Sequence, residues 1–117
     1  MATILLVDDE RPLRSLLRAA LEHDHHQVLE AANGRRGLEL YGERTIDLVI
    51  TDVVMPEMNG LDLISELTRR FVHVKVVAMT GDPGRLATAK RLGARQTLQK
   101  PFDIGLFLEI VRYELTH

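Results

Sequence analysis

The stretch IDLVITDVVMPEMNG, Ile46 to Gly60, decides how the rest of the chain is read. It opens on the apolar run Leu48 to Ile50, which is too short for a helix and reads as a strand buried on both faces. Asp52 stands where that run ends. Met55-Pro56 and Asn59-Gly60 are turn pairs, and a helical pattern begins at Leu61. In open α/β sheets the carboxyl ends of the strands are where ligands bind. A carboxylate delivered to such an end either caps a turn or does chemistry, and this stretch alone leaves both readings open.

Outward from this unit the pattern repeats. Thr3 to Val7 is an apolar, β-branched run that stops at Asp8-Asp9-Glu10. Pro12 suits the first turn of a helix, and Leu13, Leu16, Leu17, Ala20 and Leu21 give that helix one apolar face, fading near His23. Gln27 to Ala31 is a weaker second strand closed by Asn33-Gly34. Leu38 and Tyr41 mark a short second helix ending at Gly42. In the third helix Leu61, Ile64, Leu67 and Phe71 face one side, and Arg69 and Arg70 oppose the dipole in its last turn. Val74 to Met79 is the fourth strand. Asp82-Pro83 starts a fourth helix as N-cap and first residue, with Leu86, Ala89 and Leu92 facing inward and Gly93 as its stop. Gln96 to Gln99 is a short fifth strand, broken by Lys100-Pro101. Asp103 caps a last helix whose apolar face holds Phe107, Ile110, Val111 and Leu115.

Five alternations of strand and helix predict a parallel sheet with helices on both faces and right-handed crossovers. All strands then end at one rim, which receives Asp8, Asp9, Asp52, Thr80 and Lys100 from far apart in the sequence. Three carboxylates brought together repel, so at least one pKa rises unless a cation intervenes. An all-oxygen site favours a hard cation, and Mg²⁺ typically takes one or two carboxylates and keeps several waters. With that charge offset, Asp52 is free to act as a nucleophile toward phosphorus, with Mg²⁺ and Lys100 neutralising the phosphoryl oxygens and Thr80 bonding one of them. The plain alternative is a metal staple or a solvated acidic rim.

The 117 residues make one domain, with enough apolar content for a core. A net charge of −2 gives no general attraction to nucleic acid or anionic membranes. The absence of cysteine excludes disulfides and thiol catalysis and fits a cytoplasmic location. No apolar stretch approaches a membrane span, and Asp8-Asp9 interrupt the N-terminal run too early for a signal peptide.

The ordered set Asp8-Asp9, Asp52 within DVVMPEMNG, Thr80-Gly81 and Lys100-Pro101-Phe102 resembles the receiver domain of bacterial two-component response regulators over essentially the whole chain, residues 1–117. The resemblance implies a flavodoxin-like, doubly wound sheet of five parallel strands in the order 2-1-3-4-5 with five helices. It implies that Asp52 accepts a phosphoryl group from a sensor histidine kinase or a phosphotransfer protein. Asp9, Asp52 and the backbone carbonyl of Val54 would bind Mg²⁺ directly, and Asp8 through water. Lys100 would pair with Asp52 and then with the phosphoryl group, Thr80 would move toward that group, and Gly81 would leave access and offer its N–H. The Lys100–Pro101 bond would be cis. The response would be a changed surface on the fourth helix, fifth strand and fifth helix, read by a downstream protein partner, with no direct nucleic-acid or membrane role. Such a domain is not an enzyme toward other molecules; it catalyses only its own phosphoryl transfer and slow dephosphorylation.

Two positions depart from the family's usual pattern. Thr97, three residues before Lys100, stands where many relatives carry a Tyr or Phe that swings inward on activation. Val54, two after Asp52, cannot orient an attacking water as a polar residue there would, which leaves Asp82, two after Thr80, as the candidate for that task. The chain ends just after its fifth helix, so output is expected to run through binding, either to a separate partner or to a kinase of which this domain is a part. A phosphorylation-independent pseudo-receiver is the alternative, and the intact acidic set with Lys100 argues against it. A Mg²⁺-dependent phosphohydrolase lacks pocket residues beyond the rim. His23-Asp24-His25-His26 falls in a loop at the opposite rim and reads as solvated, without defined ligand geometry. Arg85, Lys90, Arg91 and Arg95 read as a solvated basic face, and Met55 and Met58 as loop packing.

Overall fold

The computed structural model describes every residue from 1 to 117. Its strands are β1 (Thr3–Val7), β2 (Gln27–Ala31), β3 (Leu48–Asp52), β4 (Val76–Thr80) and β5 (Gln96–Gln99). Its helices are α1 (Arg11–His23), α2 (Gly34–Glu43), α3 (Gly60–Arg70), α4 (Pro83–Leu92) and α5 (Ile104–Thr116). The strands form one parallel sheet in the order β2-β1-β3-β4-β5. Side chains alternate between its faces. Leu5, Val7, Val49, Val76 and Ala78 pack with Leu40, Leu63, Ile64, Leu67 and Ala89, so α2, α3 and α4 cover one face. Ile4, Leu6, Ile50, Val77 and Met79 pack with Leu17, Leu21, Phe107 and Val111 from α1 and α5 on the other.

Helix starts follow the expected chemistry. Asn33, Asn59, Asp82 and Asp103 each accept a hydrogen bond from a backbone N–H two or three residues on, satisfying donors that a first turn leaves free. Gly93 ends α4 at a φ of 122°, a conformation that disfavours any Cβ.

Several expectations need correction. β4 begins at Val76 rather than Val74, because Val74 is held in a turn by its N–H to the Phe71 carbonyl. β3 runs on to Asp52, since Val53 N–H bonds the Met79 carbonyl and keeps the strand paired to its end. α2 extends past Gly42 to Glu43, and α3 starts at Gly60. Leu63 joins Ile64 and Leu67 on the buried face of α3, while Phe71 is its C-cap. Leu16 and Leu92 point outward instead of inward, at 55% and 36% exposure. A helix lying on a sheet buries one stripe, and the outer edge of an apolar arc remains in water.

Candidate functional site

Four rim residues come from four strand ends. Asp8 follows β1, Asp52 and Thr80 end β3 and β4, and Lys100 follows β5. The neighbouring order β1-β3-β4-β5 brings them side by side. Asp52 is paired in register with Met79, and Thr80 with Gln99. Lys100 Nζ lies 3.2 Å from Asp52 Oδ1, 3.6 Å from Asp8 Oδ2 and 3.3 Å from Glu10 Oε1. The Lys100–Pro101 bond is cis.

Asp8 is completely buried. Its Oδ1 accepts the Glu10 N–H at 2.9 Å, while its Oδ2 has no hydrogen-bond partner. Asp52 is 5% exposed. Burial pushes the Asp52 carboxyl from 3.8 up to about 6, with Asp8 adding to the rise and Lys100 opposing it. Burial likewise raises the Asp8 pKa against the pull of its backbone hydrogen bond and Lys100. For Lys100, burial works downward, but Asp8, Asp52 and Glu10 together outweigh it and the net shift is upward. With three carboxylates around one ammonium, the site is short of positive charge.

Oxygens of Asp8, Glu10 and Asp52 lie within 4.8 Å of one another, close enough to share a metal ion. A fully buried carboxylate oxygen that accepts no hydrogen bond, in an all-oxygen set, fits a hard divalent cation. Asp9 is exposed and is not among these three. Glu10 is the rim residue that sequence reasoning missed. The only signal for it was its place directly after the acidic pair.

Thr80 is 4% exposed, and its Oγ1 accepts the Asp82 N–H at 3.4 Å, leaving the hydroxyl hydrogen free to donate. A Cβ built at Gly81 would meet only the Lys100 carbonyl at 3.8 Å, an ordinary contact. Gly60 is different. A Cβ there would stand 2.1 Å from the Asp52 carbonyl oxygen and 2.7 Å from Val53 Cα. Gly60 N–H donates to the Val53 carbonyl, so the loop folds directly back on the strand that carries Asp52. Its signal was the Asn59-Gly60 pair. Val54 is half exposed at the mouth of this loop, Met55 is buried in the core, and Thr97 is half-buried on β5 beside Ala78.

The histidine run lies away from this rim and joins no cluster of metal-ligating groups. Asp24 is gripped by two Arg112 nitrogens at 2.9 Å, and His26 Nδ1 accepts the Ala2 N–H. Of the basic residues near α4, Arg85 pairs with Asp82 and Arg95 with the buried Glu114.

A doubly wound sheet with an acidic rim and a lysine across it defines a class of protein. Within that class, this chain belongs to the response regulator receiver domain family, which it matches over residues 4–112. It is 36% identical over 115 residues to Protein PilH of Pseudomonas aeruginosa, covering 95% of each chain. It is 32% identical over 111 residues to Sporulation initiation phosphotransferase F of Bacillus subtilis, covering 93% of this chain and 90% of that one. Histidine kinase P4 of Formosa agariphila is 36% identical over 110 residues; the match takes in 91% of this chain and spans 8% of the kinase. A response regulator receiver domain protein from Clostridium thermocellum has a crystal structure with a TM-score of 0.92 at 30% identity, covering 99% of this chain and 95% of that one. The family is one of signalling domains in two-component systems. No helix here is long and apolar enough to cross a membrane.

Proposed function

We propose that residues 1–117 form one receiver unit that works as a cytoplasmic phosphorylation switch, with Asp52 as the acceptor and a sensor histidine kinase or phosphotransfer protein as donor. The observation that carries this reading is the Lys100 ammonium shared between Asp52 and the buried Asp8, whose Oδ2 faces that ammonium at 3.6 Å without accepting a hydrogen bond. At neutral pH a carboxyl with a pKa of about 6 is mostly ionised and nucleophilic.

One Asp52 oxygen bonds to phosphorus as the bond from phosphorus to the donor imidazole nitrogen breaks. That nitrogen keeps the electron pair and takes a proton from solvent. Lys100 turns from Asp52 to a phosphoryl oxygen, the Thr80 hydroxyl donates to another, and the Gly81 N–H lies beside them. Mg²⁺, when bound, supplies the positive charge that the phosphoryl oxygens need. Asp8, Asp9, Asp52 and the Val54 carbonyl are the groups that would hold it. In slow dephosphorylation, a water oxygen bonds to phosphorus, the bond to Asp52 breaks, and the water proton leaves to solvent.

The donor has a place to approach. A groove of about 450 Å³ runs from Glu10 and Lys100 between Leu13, Leu16, Phe102 and Ile104. Output uses the face of α4, β5 and α5, where a cleft of about 880 Å³ is lined by Lys90, Arg95, Gln96, Ile110 and Tyr113 among others. Thr97 brings no ring to that face, so movement of the Thr80–Pro83 loop and the start of α4 carries the signal to a downstream protein.

Incubation with acetyl phosphate and Mg²⁺, followed by intact mass, tests the reading. One phosphoryl group is expected on the wild type and none on Asp52→Asn. An unchanged mass shift in that variant moves the acceptor elsewhere.

A further inference from the structure

Glu10 has an arrangement that neither its helix nor the core explains. It is the N-cap residue of α1, yet its side chain makes no capping bond to the helix. Its backbone does the anchoring, with the N–H given to Asp8 Oδ1 and the carbonyl accepting the Arg14 N–H. The carboxylate instead reaches Lys100, ninety positions away in the chain, at 3.3 Å. Lys100 thus has two partners deep in the rim and a third on the solvent side, since the Glu10 side chain is 62% exposed. Glu10 and Lys100 also line the same surface groove, side by side at the edge of the rim.

We propose that Glu10 is a positioning residue that holds Lys100 toward the mouth of the site and makes the site discriminate against highly charged small phosphoryl donors. This rests on Asp52 being the acceptor. A donor that reaches Lys100 meets the exposed Glu10 carboxylate beside it, and it must draw that lysine away from Glu10. The repulsion grows with the donor's own negative charge, whereas the cost of freeing Lys100 from Glu10 is the same for every donor. The same carboxylate, within 4.8 Å of Asp8 and Asp52 oxygens, adds to the attraction for a divalent cation.

The test uses the full chain at saturating Mg²⁺ with two donors, doubly negative acetyl phosphate and singly negative phosphoramidate. Intact mass gives the phosphorylation rate for each. Glu10→Gln should raise the ratio of the acetyl phosphate rate to the phosphoramidate rate about two- to three-fold, the size of one extra charge interaction across several ångströms of wet protein surface. Glu10→Asp, which restores the charge, should bring the ratio back toward the wild-type value. Calorimetric titration of the unphosphorylated protein with Mg²⁺ supplies a readout free of turnover, in which Glu10→Gln should bind about three-fold more weakly. Rates that change equally for both donors would mark Glu10 as merely structural and overturn the proposal, as would an unchanged ratio or unchanged Mg²⁺ affinity. A label that survives Asp52→Asn would instead sink the acceptor assignment on which this inference stands.

Discussion

Asp52→Asn should stabilise the metal-free fold, and the gain should depend on pH. The Asp52 carboxyl has its pKa raised from 3.8 to about 6, chiefly by burial. The folded state therefore holds this proton more tightly than the unfolded state. Below about pH 3 both states are protonated and the group costs nothing. As pH rises toward 6 the unfolded chain releases the proton first, so stability falls, and above that the full cost is in place. A shift of roughly two units, at about 1.36 kcal/mol each, gives a cost of about 3 kcal/mol at neutral pH. Asparagine does not titrate and escapes it. Urea unfolding of both proteins, followed by circular dichroism in EDTA at constant ionic strength, measures the difference. The variant's advantage should grow by about 3 kcal/mol from pH 3 to pH 7. Millimolar Mg²⁺ should shrink it by binding the wild-type native state. A difference that stays flat with pH, or falls as pH rises, would refute the account of Asp52 as a carboxylate whose ionisation is opposed by burial.

Gly60→Ala should cost about 3 kcal/mol in unfolding experiments and also slow phosphorylation, because the new Cβ would have to push away the Asp52 carbonyl, 2.1 Å from its built position. The rise in melting temperature with Mg²⁺ should be lost in Asp8→Asn and reduced in Asp9→Ala; a full shift in both variants would remove these groups from the ion site. Val54→Asn should shorten the lifetime of the phosphorylated form, followed by decay of its intact-mass peak, by giving water a polar partner beside Asp52. Glu114→Ala should cost about 2 kcal/mol, since it strips Arg95 and Gln96 of a carboxylate that is 2% exposed. Urea unfolding checks this, with Glu109→Ala on the exposed side of α5 as the control.

Much of the fold lies open in the sequence because its signals are local. Short apolar runs, turn pairs and caps such as Asp82-Pro83 and Asp103 act through neighbours a few residues away, and each element formed nearly where its pattern places it. The parallel sheet then follows from alternation, and with it the arrival of Asp8, Asp52, Thr80 and Lys100 at one rim. What the sequence could not decide is which of three consecutive acidic side chains turns inward. Asp8, Asp9 and Glu10 share one composition and one turn, but Asp8 is sealed in the core, Asp9 is in solvent and Glu10 bends across to Lys100. The outward turn of Leu16 and Leu92 and the contact of Gly60 with the Asp52 carbonyl belong to the same category. Each depends on which surfaces meet when distant elements pack, a property of the assembled sheet and its helices that no window of neighbouring residues contains.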